Sequence, residues 1–98
     1  MKTITPEQLK ARLAAGECTL VDVREPEEFM RLHVEAARLV PLGALPSRAA
    51  DWGPGNSPVL ICRSGARAAQ GASQLKQLGV SEVFVVEGGT TACVAADL

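Results

Sequence analysis

Pro58-Val59-Leu60-Ile61-Cys62-Arg63-Ser64-Gly65-Ala66-Arg67 is an apolar run that ends in a thiol, turns through a short polar loop and enters an alanine-rich stretch. An apolar strand followed directly by a loop and a helix is the unit from which parallel α/β domains are built. The pattern predicts a strand over Val59–Cys62 and a helix from about Ala66 to Leu78, closed by Gly79. The inward face of that helix is small, with Ala68, Ala72 and Leu75. Cys62 therefore falls where a strand becomes a helix. Up to six successive backbone N–H groups, from Arg63 onward, are available to curl around the sulfur, and the helix N-terminus adds the positive end of its dipole. These surroundings favour a thiolate, the nucleophilic form of cysteine. Two arginines in the same loop, Arg63 and Arg67, act in the same direction. In isolation a cysteine ending an apolar strand is most simply a core residue; the loop that follows reverses that reading.

Outward from this unit the same alternation repeats. Thr5-Pro6-Glu7 reads as a helix start with Thr5 as cap, and Leu9, Leu13 and Ala14 give an apolar stripe that Gly16 ends. Cys18 to Val23 has the near-continuous hydrophobicity of a strand buried on both faces. Glu25, Glu27 and Glu28 load a first helical turn with acids, and that short helix is expected to end near His33. Arg38 to Leu42 suggests a brief strand at a sheet edge, because Pro41 removes a ladder donor. Leu45 to Ala50 is a candidate helix, Gly53 to Pro58 a loop, Glu82 to Val86 a strand, Gly88-Gly89 a turn, and Thr90 to Ala96 a last helix with Thr90 and Thr91 as candidate caps. Ligands of open α/β sheets bind beyond the carboxyl ends of the strands. Cys62, Arg24 and Gly88-Gly89 all lie at such ends, so one rim collects them.

Ninety-eight residues at 47% apolar content predict one domain over residues 1–98. The net charge of −1 carries no basic footprint for nucleic acid or an anionic membrane. Three cysteines at Cys18, Cys62 and Cys93, with His33 as the single histidine, do not make a structural zinc site. The apolar runs are too short for a membrane span, and Met1 to Pro6 lacks the apolar region of a signal peptide. The expected compartment is reducing and cytoplasmic.

These stretches together resemble the rhodanese family of single-domain sulfurtransferases. Leu20-Val21-Asp22-Val23-Arg24 with Glu27-Glu28-Phe29 is similar to the family's first signature, and His33-Val34-Glu35-Ala36-Ala37-Arg38-Leu39-Val40-Pro41-Leu42 to its second. Cys62 to Arg67 is similar to the active loop, and Gly79-Val80, Val83 to Val86 and Gly88-Gly89 follow in the family's order. The resemblance implies a three-layer domain, with a mostly parallel central sheet of about five strands flanked by helices. It also implies a double displacement: the Cys62 thiolate takes the outer sulfur of a small sulfur anion such as thiosulfate, and a thiophilic acceptor, cyanide or a thiol or protein cysteine, removes it from the persulfide. Arg63, Ser64, Gly65, Ala66 and Arg67 are the implied binding loop, with Arg67 as the main dock for the sulfonate end, and no metal or organic cofactor is needed.

The chain departs from the family's pattern at Glu35-Ala36, where proline and glycine are usual, and at Cys93, where a tryptophan often stands. The turn after the second helix is therefore expected to differ, and Cys93 is a candidate to approach the rim as a sulfur acceptor or disulfide partner of Cys62, although core packing is its simpler role. His33 reads as a turn-fixing hydrogen bonder. Asp22 and Arg24 read as an orienting pair, and Arg24 is alternatively a candidate to line the site entrance. Related phosphatases and arsenate reductases place five residues between cysteine and arginine, whereas four stand between Cys62 and Arg67. A cradle this tight suits one sulfur better than a tetrahedral oxyanion. The competing classes are a protein-interaction module and a thiol sensor. The ending at Ala96-Asp97-Leu98 also reads as a domain cut from a longer, even membrane-anchored, protein.

Overall fold

The computed structural model describes residues 2–98; Met1, the first residue of the expected span 1–98, lies outside them. Side-chain alternation along the central strands sorts the core into two layers. On β2 (Cys18–Asp22) and β4 (Ser57–Ile61), Val21 and Leu60 face one way, and Cys62 follows Leu60 onto the same side. There they pack with Leu45, Trp52, Ala68, Ala72 and Leu75. Leu20, Val59 and Ile61 face the other way, against Ile4, Leu9, Phe84, Val86 and Cys93. Both faces of these strands are buried, which is why their sequences run apolar without a polar alternation.

Five strands form the sheet in the order β1-β5-β4-β2-β3, and every pairing is parallel. The edge strands are β1 (Lys2–Ile4) and β3 (Arg38–Leu39), and β5 spans Phe84–Val86. The α/β expectation holds, with helices on both faces. Helix α1 (Pro6–Ala14) starts as the sequence predicts: Thr5 Oγ1 accepts from the Gln8 N–H at 3.1 Å, and Gln8 Oε1 accepts from the Thr5 N–H at 2.9 Å. Helix α3 (Ala66–Gln77) lies across the face that holds Cys62. Gly71 allows its close approach, since a Cβ there would sit 2.7 Å from Leu45 Cδ2.

Several boundaries differ from expectation. Strand β1 has no counterpart in the sequence reading; it pairs Lys2, Thr3 and Ile4 with Phe84, Val85 and Val86, a partnership three residues cannot announce. Strand β4 begins at Ser57 and contains Pro58, which the sequence places in a loop. Proline is tolerated there because β5 pairs with β4 only from Val59 onward, leaving one side of Pro58 without a ladder to break. The expected strand Arg38–Leu42 ends at Leu39, and Leu42–Asp51 forms a 3₁₀ segment in place of the predicted helix. Pro46 inside it has no N–H for an α-helical ladder. Helix α4 (Gly89–Ala95) is preceded by Gly88 at φ 78° without a side-chain cap, so neither Thr90 nor Thr91 caps it. The turn at Glu35-Ala36 closes without proline or glycine: the Ala37 N–H donates to Val34 O at 2.9 Å, and neither turn residue takes a positive φ.

Candidate active site

The site forms where β4 stops. Cys62 is 1% exposed, and its Sγ accepts the Gly65 N–H at 2.9 Å. Gly65 makes this contact at φ 93°, a left-handed conformation that side chains resist, and it serves as the residue before α3. Of the amide ring expected from Arg63 onward, the Gly65 N–H is the group within hydrogen-bonding distance of the sulfur among the described residues. The N–H groups of Ala66, Arg67 and Ala68 belong to the first turn of α3. Intrahelical bonding begins only at Ala69, whose N–H donates to Gly65 O at 2.9 Å. The dipole end of a 12-residue helix thus opens beside the thiol.

The turn after β5 closes the other side. The Thr90 N–H donates to Cys62 O at 3.1 Å. Gly89, at φ 64°, lies so close that a Cβ would run into the carbonyl oxygens of Cys62 and Arg63. The strand ends predicted to share a rim do so. Asp22 and Arg24 form a buried ion pair at 2.7 Å, and Arg24 Nη2 also donates to Leu32 O at 2.7 Å. The pair orients neighbouring chain, and the carboxylate raises the affinity of the guanidinium for its proton. His33 Nδ1 is 2.7 Å from Phe29 O and its ring stacks on Phe29, the turn-fixing role read from the sequence.

Arg67 is engaged from the opposite direction. Helix α2 (Pro26–Arg31) presents Glu28, whose two oxygens accept from Nη1 and Nη2 of Arg67 at 2.6 and 3.0 Å. Glu28 Oε1 also accepts the Glu25 N–H at 3.0 Å, closing a capping box at the start of α2. The Arg67 hydrogen bonds, followed by that backbone bond, hold the Glu28 carboxyl down at about 2. In the sequence Glu28 reads as helix-start charge within the stretch that resembles the family's first signature, with nothing to pair it with Arg67. Its helix and the Arg67 loop leave the carboxyl ends of strands that become neighbours only in the folded sheet, so the pairing carries no local signal in the sequence. Arg63 and Ser64 are exposed, and neither side chain has a hydrogen-bond partner among the described residues.

Cys93 does not approach the rim. It is fully buried in the core of the opposite sheet face, with Leu9, Leu20 and Ile61, and burial pushes its thiol up to about 11. The smaller side chain is simply enclosed by that core. A cleft of about 540 Å³ beside β3, lined by Arg38, Arg48 and Trp52 among others, shares no residue with the 62–67 loop.

A family model described as the rhodanese-like domain matches residues 5–96, covering strands β2 to β5, the Cys62 loop and the Gly88-Gly89 turn together. The chain belongs to the rhodanese-like family. A protein named sulfurtransferase from Allochromatium vinosum is 36% identical over 90 residues, covering 91% of this chain and 84% of its own. An uncharacterized protein of Bacillus subtilis, YqhL, is 34% identical over 89 residues, covering 91% of this chain and 69% of its own. The solved structure of a rhodanese-like domain protein from Staphylococcus aureus superposes with a TM-score of 0.82 at 30% identity, over 95% of this chain and 91% of that one. Other relatives are longer: the chain spans 54% of an uncharacterized protein from Synechocystis to which it is 35% identical over 96 residues. Among the described residues no helix is long and apolar enough to cross a membrane.

Proposed function

We propose that this rhodanese-like domain is a sulfurtransferase that carries sulfane sulfur on Cys62, with residues 1–98 acting as one unit in a reducing, cytoplasmic setting. The observation that carries the reading is the Gly65 N–H to Cys62 Sγ bond at the mouth of α3. It offers an anionic sulfur a donor and a helix dipole at once. The donor is a small sulfur anion such as thiosulfate. The thiolate lone pair attacks the outer sulfur, a new S–S bond forms on Cys62, and the bond to the sulfonate sulfur breaks with its electron pair leaving on sulfite. The terminal sulfur of the resulting persulfide carries the negative charge. The Gly65 N–H, which reaches the Cys62 sulfur, and the N–H groups at the first turn of α3 support holding that charge, and Arg63, Ser64, Gly65, Ala66 and Arg67 form the binding loop for the donor. Cyanide, a thiolate or a protein cysteine then attacks the terminal sulfur and returns Cys62 as thiolate. No proton transfer is required once the thiol is ionised, and no residue of the chain is needed as a general base.

Intact-mass spectrometry after brief thiosulfate exposure tests the reading. The expected result is one added sulfur atom on the wild type, removed by reductant or cyanide and absent from Cys62→Ser. Wild-type protein that gains no sulfur from thiosulfate or from a low-molecular-weight persulfide would overturn it.

A further inference from the structure

Arg63 and Arg67 belong to one loop, yet the structure puts them to different uses. Both terminal nitrogens of Arg67 are taken by the two oxygens of Glu28, in a half-buried fork with side-chain exposures of 34% and 29%. Glu28 is fixed in its turn by the Glu25 N–H. A guanidinium paired in this bidentate way has its charge largely compensated before any ligand arrives. Arg63 is exposed, adjacent to the nucleophile, and unpaired among the described residues.

We propose that Glu28 is a positioning residue that fastens the loop to α2 through Arg67 and withholds that guanidinium from the donor, so that Arg63 is the cation that meets an anionic donor. This deepens the sulfur-transfer reading and rests on it. It moves the main sulfonate dock from Arg67, the first of the two loop arginines that the family resemblance implies for that role, to Arg63. The charge arithmetic supports the division. A thiolate attacking a dianion faces like-charge repulsion, which one mobile cation at the mouth offsets. Two free cations would also hold the dianionic sulfite formed in the first step and slow its departure. Keeping Arg67 neutralised fixes the loop without adding that second hold.

The test is steady-state kinetics with thiosulfate and cyanide on wild type, Arg63→Ala, Glu28→Gln and the double variant, each checked for folding by thermal unfolding. Glutamine keeps an oxygen for the Glu25 N–H but removes the charge. Arg63→Ala is expected to raise the thiosulfate KM about tenfold, the size of one charge-assisted hydrogen bond, with a smaller change in kcat. Glu28→Gln frees Arg67 and is expected to lower that KM. The Arg63→Ala penalty should shrink in the Glu28→Gln background. A purely structural Glu28 would lower melting temperature and kcat without lowering KM. A higher KM for Glu28→Gln, or an Arg63→Ala KM within about twofold of wild type, overturns the proposal. Should Glu28→Gln fail to fold, ionic strength decides: Arg63→Ala must flatten the salt dependence of KM and Arg67→Lys must preserve it, and the reverse pattern overturns the proposal. Wild type that takes no sulfur from thiosulfate overturns the sulfur-transfer reading and this one with it. Wild type that does, with the opposite KM changes, overturns this one alone.

Discussion

Asp22 and Arg24, two residues apart at the end of β2, meet in a buried fork in which Arg24 Nε and Nη2 donate to Asp22 Oδ1 and Oδ2 at 2.9 and 2.7 Å. The Arg24 N–H also donates to Oδ1 at 3.0 Å, and Nη2 reaches on to Leu32 O, so one carboxylate organises the exit from the strand and the far end of α2. The side chains are 0% and 7% exposed. Asp22→Asn leaves a buried guanidinium without its counter-charge. The expected cost is about 3–5 kcal/mol of unfolding free energy, measured by urea denaturation; a loss under about 1 kcal/mol would show that water or a shifted loop compensates.

Gly89→Ala tests the closure of the Cys62 loop by the turn after β5. A left-handed φ of 64° costs a non-glycine residue about 1–2 kcal/mol, and the added Cβ collides with the carbonyls of Cys62 and Arg63. Because those atoms are backbone, the nucleophile itself must move. The variant should lose sulfur transfer by at least about tenfold while its far-UV spectrum stays native. Full activity would mean that the loop position is not critical.

Acid titration of Glu28 gives a signed prediction. Its folded value of about 2 lies below the ordinary 4.5, so the Arg67 fork contributes stability that is fully present above about pH 4.5 and is lost as pH falls through about 2. Glu28→Gln has no such dependence. The difference in urea midpoint between wild type and variant should therefore be constant from pH 7 to about 5 and narrow toward pH 2.5. A difference that stays flat across the range would remove the fork from the stability account.

Cys93 should be chemically silent in the folded protein. It is fully buried, with its thiol raised to about 11 by burial and, secondarily, by Glu7. In a Cys62→Ser background, iodoacetamide at pH 8 is expected to leave Cys93 unlabelled until denaturant is added, as peptide mass mapping would show. Labelling of native Cys93 on the timescale of a free thiol would contradict the burial.

The loop chemistry was legible because it is local. Cys62, Gly65 and the start of α3 occupy consecutive positions, and a glycine before an alanine-rich stretch signals the turn without knowledge of the rest of the chain. The central strands were legible for a related reason, since burial on both faces leaves an unbroken apolar run. Strand β1 was not: Lys2–Ile4 owes its extended form to Phe84–Val86, about eighty residues away. The fork between Glu28 and Arg67, separated by 39 residues, was hidden in the same way.

What the sequence determined by itself was the α/β class, the placement of Cys62 at a strand end, and the presence of two arginines beside it, because each depends on periodicity, capping or chain adjacency. Only the tertiary structure decided which arginine is spoken for and on which face each cysteine lies. Those outcomes depend on which strand ends become neighbours in the sheet. Side chains distant in the chain compete for one partner only after the strands have paired, and by then Glu28 stands within reach of Arg67.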